Sequence, residues 1–95
     1  MVNEQSWDEI KDSLKVGTKV TGIVIKHRPY GIFVELPGIK FKGLVSITNF
    51  SDEGRMTPSE YPKIGSSVDA IVLAFKETGK QIWLSMKPSK LYKSK

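Results

Sequence analysis

The chain contains no cysteine and only one histidine, His27, in 95 residues. Without cysteine, neither a disulfide framework nor a thiolate metal site can form. A single histidine beside Arg28, with no carboxylate close in sequence to orient it, is a poor start for acid–base catalysis. No Gly-rich phosphate loop or His/Asp metal motif is present, and the Asp52-Glu53 pair falls in a loop-like stretch where carboxylates normally face water. No apolar run approaches the roughly 20 residues of a membrane helix. The first residues, Met-Val-Asn-Glu-Gln-Ser-Trp-Asp, lack the basic-then-apolar order of a signal peptide. The chain shows no internal repeat. These absences set the expectation of a soluble, cytoplasmic, single-domain protein that is not an enzyme and needs no cofactor.

What is present is positive charge, unevenly placed. The formal net charge is +5. Residues 1–14 are acidic, with Glu4, Asp8, Glu9 and Asp12 against Lys11. Residues 15–50 carry six Lys or Arg against Glu35, and residues 68–95 carry six Lys against Asp69 and Glu77. The charge therefore lies on the regions that read as strands and on the C-terminal tail. A phosphate backbone is a common partner for such a stripe, whereas the plainer reading is a solvated basic surface.

The chain opens with Ser6-Trp-Asp-Glu9, which fits a helix capping box followed by carboxylates in the first turn. Trp7, Ile10 and Leu14 follow at helical spacing, and Gly17 marks the stop. The spacing predicts a short helix over 7–14, with Trp7 as its packing anchor. Residues 18–27, rich in Val, Ile and Thr, read as a first strand, with Gly22 marking a bend or a close backbone approach. His27-Arg28-Pro29 reads as a turn and 30–36 as a second strand. There Ile32, Val34 and Leu36 form one aliphatic face, opposite Phe33 and Glu35. Residues 39–46 are expected to be a third strand with Lys40 and Lys42 on one side and Phe41 on the other. The period-2 pattern is lost over 47–67, a long connection expected to hold a helical turn. Strands are expected again at 68–75 and 81–86, joined by a hairpin loop over 77–80. In the last of these, Ile82 and Leu84 alternate with Trp83, so an inward pair would leave the indole outside. Residues 88–95 read as a basic flexible tail.

Five strands with an irregular connection after the third suggest a small barrel. The ordered set Val20-x-Gly22-x-Val24, Tyr30-Gly-x-Phe-Val34, Gly43-Leu-Val45, Ile64-Gly65 and Leu84-Ser-Met-Lys87 resembles the S1 RNA-binding domain family over residues 16–87. It is similar to a single repeat of ribosomal protein S1, with residues 1–15 as the helical lead-in. The resemblance implies an all-β, five-stranded OB-fold barrel with a short N-terminal α-helix. It also implies binding of single-stranded or structured RNA with low sequence specificity. Tyr30 and Phe33 match the family's aromatic pair. Where the family often has His after Gly-Leu-Val, this chain has Ser46. An Asp common near the end of the fourth strand is replaced by Lys76, and the basic residue that follows falls at Lys80 or Gln81.

Base faces and phosphates are what a single strand offers to grip, and an aromatic sheet surface edged by cations addresses both. The candidate RNA-binding residues are Tyr30, Phe33 and Trp83 for stacking. Lys26, Arg28, Lys40, Lys42, Lys76 and Lys80 are candidates for phosphates, and Ser46 for a hydrogen bond. A register break at Gly31 is expected, since residues three apart on a regular strand point to opposite faces. The alternative is a protein-docking barrel acting on a ribosome or an RNA-processing complex. Exposure of the three rings together would favour RNA, and their burial would favour docking.

Overall fold

The computed structural model describes residues 6–50 and 57–87. It opens with helix α1 (Trp7–Ser13), started by the expected capping box: Ser6 Oγ accepts from the Glu9 N–H at 3.2 Å and Glu9 Oε1 accepts from the Ser6 N–H at 2.9 Å. The strands are β1 (Lys19–Arg28), β2 (Gly31–Glu35), β3 (Gly43–Ser46), β4 (Ser67–Lys76) and β5 (Gln81–Ser85). They close into a barrel in the order β1-β2-β3-β5-β4, with β3 and β5 parallel and the other pairs antiparallel. Among the described residues, two 3₁₀ turns, Ile47–Asn49 and Pro58–Glu60, lie in the long connection, where a helical turn is expected. The tail over 88–95 and the Asp52-Glu53 pair lie outside the described residues.

The aliphatic alternation sets the inside of the barrel. Val24, Ile32, Val34, Leu36, Val45, Val72, Ile82 and Leu84 are all buried. Each such side chain contributes roughly 1.5–3 kcal/mol on burial, which is what holds five short strands in one ring. Gly22 makes the close approach expected of it: a Cβ there would strike the Val34 side chain and the Glu35 carbonyl. The connection is tied down by Tyr61, whose hydroxyl donates to the Arg28 carbonyl at 2.8 Å and whose ring stacks on Phe50. Burial pushes the Tyr61 hydroxyl above its ordinary pKa.

Helix α1 packs its Trp7 and Ile10 face into the core. Trp7 packs edge-on against Phe41 and Phe75, with ring centroids 5.0 and 5.7 Å away. Its indole N–H donates to Glu77 Oε1 at 2.7 Å, and Lys11 Nζ donates to Glu77 Oε2 at 2.7 Å. Trp7 is thus the packing anchor that its position suggested.

Three local expectations change. The third strand begins at Gly43, so Lys40 and Lys42 lie in the loop before it. That segment leaves the sheet because Phe41 turns toward Trp7 and packs against the core. Tyr30 belongs to the turn, not to the second strand. The register break is not at Gly31, where β2 pairs regularly with Arg28 and Ser46; it is a bulge in β1 between Val24 and Lys26. Gly31 is required for another reason. Its φ is +155° and a Cβ would collide with the carbonyl of Val45, so the backbones of β2 and β3 approach too closely for a side chain.

Candidate nucleic-acid interface

The strand register places one transverse row of side chains on the outside of the barrel. Lys26 pairs with Phe33, Phe33 with Leu44, Leu44 with Trp83, and Trp83 with Ala74. Because the aliphatic neighbours on each strand fill the core, this row has nowhere to point but outward. Trp83 is 40% exposed between the fully buried Ile82 and Leu84. Phe33 and Leu44 are half-buried beside it. Tyr30, 51% exposed, reaches over from the turn, and its ring meets Phe33 edge-to-face at 6.3 Å with the planes 89° apart. The three predicted rings therefore share one surface. Tyr30 escapes the strand's alternation because it lies outside the strand.

Two depressions meet at Tyr30. One, of about 380 Å³, is lined by Ile25, Lys26, Arg28, Tyr30, Phe33, Lys42 and Gln81. The other, of about 270 Å³, is lined by Tyr30, Leu44, Ser46, Thr48, Asn49, Trp83 and Leu84 and has no charged residue in its wall. A third depression, lined by Lys40, Phe41, Lys42, Gly79, Lys80 and Gln81, continues the basic side. Of the predicted cations, Lys26, Arg28 and Lys42 border the aromatic surface directly. Lys40 and Lys80 belong to the outlying depression, where the Lys40 ammonium lies 5.5 Å from the Phe41 ring centre. Lys80 reaches its place through a left-handed turn, with φ +50°. Lys76 pairs with Gln81 in the ladder and is exposed, but lines none of the three depressions.

Ser46 caps the turn that follows β3. Its Oγ accepts from the Thr48 N–H at 3.4 Å as the cap of the following 3₁₀ turn, and lies 3.2 Å from Thr48 Oγ1. That cap presents Thr48 and Asn49 to the uncharged depression. Neither was picked out from the sequence. The Ser-x-Thr-Asn run after Gly-Leu-Val was the available signal, but period-2 reading stops where the strand stops. His27, half-buried, is tied to the long connection. Its Nε2 is 2.7 Å from the Pro62 carbonyl oxygen and its ring packs on Tyr61, away from the aromatic row. Among the described residues, no group of three His, Cys, Asp or Glu could hold a metal, and no helix is long and apolar enough to cross a membrane.

The family model of the S1 RNA binding domain matches residues 13–87. The chain belongs to the S1 RNA-binding domain family. A relative in Leuconostoc lactis, small ribosomal subunit protein bS1, is 40% identical over 82 residues, covering 85% of this chain and 19% of its own length. This S1 chain thus spans about a fifth of that relative. Among solved structures, GSP13 from Bacillus subtilis is 33% identical with a TM-score of 0.66, covering 76% of this chain and 55% of that one. The a/eIF2alpha–aDim2p–rRNA complex from Pyrococcus horikoshii OT3 is 26% identical with a TM-score of 0.66, covering 77% and 44%. The OB-type barrel expected from the sequence resemblance is the fold observed.

Proposed function

We propose that this S1 domain is an RNA-binding module that grips a single strand without chemistry, by stacking bases on Tyr30, Phe33 and Trp83 and contacting phosphates with Lys26, Arg28 and Lys42. Lys40 and Lys80 extend the phosphate track, and Lys76 and the lysines of residues 88–95 add long-range attraction. The observation that carries this reading is the joint exposure of three aromatic rings on one outer sheet face, bordered by three cations. A docking surface for protein would not need cations on that border, and the exposed trio favours RNA over the docking alternative. Membership of an RNA-binding family, and an rRNA-containing complex among the structural neighbours, support the same reading. A ribosome or an RNA-processing assembly is the proposed setting, since bS1 relatives are ribosomal proteins by name.

Affinity for a single strand should be tolerant of sequence wherever a base only stacks, because every base has a face to stack. It should depend on salt, with each phosphate contact contributing about 0.7 to the log–log slope on a single strand. Three to five contacts give a slope of roughly −2 to −3.5. Titrating a labelled oligoribonucleotide at several salt concentrations tests this, and a flat response would remove the phosphate part of the proposal.

A further inference from the structure

The geometry points to a bent RNA strand turned at Tyr30, with one base on Phe33 in the cationic depression and the next in the uncharged depression beside Trp83, its edge meeting Thr48 and Asn49. This rests on the RNA-binding reading above and adds to it the shape of the bound strand and a base-reading pair.

Three observations lead there. The Tyr30 and Phe33 rings stand 89° apart, so Tyr30 does not extend a flat platform with Phe33 but stands across it, and no base can lie flat on both. Phe33 and Trp83 are separated by Leu44 in the ladder, two strand spacings or about 10 Å at the backbone. Stacked nucleotides advance only about 3.4 Å along a strand, so neighbouring bases held at Phe33 and Trp83 are pulled out of their own stack. Tyr30 is the residue common to both depressions, which makes it the corner.

The contrast between the two depressions says which part of the nucleotide enters each. Lys26, Arg28 and Lys42 wall the first beside Phe33. The second has no Lys or Arg in its wall, so a phosphate gains nothing by entering it. It offers instead an indole face, a hydroxyl and a side-chain amide, which suit a base edge carrying both a donor and an acceptor. An Asn amide matches the N6/N7 pair of adenine in that way. Guanine, which presents two acceptors on the corresponding edge, is served by Arg or Lys and finds neither there. Thr48 and Asn49 are therefore assigned as specificity-determining residues, with an unpaired adenine as the fitting base.

The probe is the tetranucleotide rA4, followed by amide chemical shifts of the ¹⁵N-labelled chain and by the circular dichroism of the stacked adenines. Wild type should shift Lys26 and Phe33 on one side and Thr48 and Asn49 on the other, and the stacking signal should fall on saturation. Asn49→Ala should weaken rA4 at least about fivefold relative to rG-containing tetranucleotides. Thr48→Val should reduce the same ratio, and is the second arm if Asn49→Ala disturbs the 3₁₀ turn. Shifts confined to one depression, or an unchanged stacking signal in the bound state, overturn the bend and leave RNA binding standing. A ratio unaffected by both variants overturns the base-reading assignment. Failure of wild type to bind rA4 or any longer oligoribonucleotide overturns the RNA-binding reading as well.

Discussion

Trp7 and Trp83 lie on the same small barrel and have opposite fates. Trp7 is 7% exposed, wedged against Phe41 and Phe75, with its N–H donated to Glu77. Trp83 is 40% exposed on an outer face that helix α1 does not cover. Around Trp7 the neighbouring charges are Glu77, Lys11 and the carboxylates of an acidic helix. Around Tyr30 and Phe33, in the row that includes Trp83, they are Lys26, Arg28 and Lys42. A large ring is stabilised by burial wherever something covers it; one left uncovered keeps its face available for another flat molecule. One aromatic cluster holds the protein together; the other stays exposed on the outer sheet face, where we propose that it holds RNA.

That separation can be broken most directly by truncating each indole. Trp7→Ala should cost about 3–5 kcal/mol of folding stability, as large core truncations do. Its effect on RNA affinity, measured well below the melting transition, should be small. Denaturant unfolding and oligonucleotide binding on the same variant check this, and loss of affinity without loss of stability would reverse the two roles. Trp83→Ala and Phe33→Ala should each cost about 1–3 kcal/mol of binding if the rings stack on bases. Their cost in stability should be about 1 kcal/mol or less, the scale of a cross-strand contact.

A finer distinction comes from fluorescence. The indole emission should change on RNA binding in Trp7→Phe, where Trp83 remains, and should be nearly silent in Trp83→Phe. A signal that follows Trp7 instead would mean that ligand binding disturbs the helix.

The smallest expected effect is on pH. The hydrogen bond from Lys11, and then that from Trp7, hold the Glu77 carboxyl below its ordinary value of 4.5, and the Glu77 hydrogen bond raises Lys11. A carboxyl depressed on folding stabilises the native state above its ordinary titration range and loses that contribution as pH falls through it. The helix latch should therefore loosen in acid, below about pH 4.5, with little change from there to neutrality, and again in strong base as the raised Lys11 ammonium gives up its proton. Near-ultraviolet circular dichroism of the Trp83→Phe variant, which reports Trp7, is the measurement. An equal loss in Glu77→Gln and in the parent would show that another carboxyl is responsible.

Much of the fold is legible in particular residues. Ser6 and Glu9 announce the helix; Ile32, Val34 and Leu36 on one side and Ile82 and Leu84 on another announce inward faces, and so expose Trp83 by elimination. The sites that could not be placed are those where local rules stop. Lys40 and Lys42 have strand-like alternation, yet the chain there follows Phe41 toward Trp7, a contact with a helix far away in sequence. Thr48 and Asn49 sit just past a strand end, where no periodicity assigns a face. The register break expected at Gly31 lies in β1, because a bulge on either strand of a pair shifts the same register, and nothing local to Gly31 tells which strand carries it.

The sequence by itself determined that five strands exist, the inward faces of their aliphatic residues, the helix cap and the uneven charge, though not where the third strand begins, because these follow from a two-residue or a 3.6-residue period and from side-chain chemistry. The tertiary structure alone decided that Tyr30, Phe33 and Trp83 share one surface. Phe33 and Trp83 meet across Leu44 only because β3 pairs in parallel with β5, and Tyr30 joins them only because the turn lifts it out of the strand alternation. Pairing between strands distant in sequence is selected by how the closed barrel buries its core as a whole. A local pattern carries the face of each strand, not the identity or register of its neighbour.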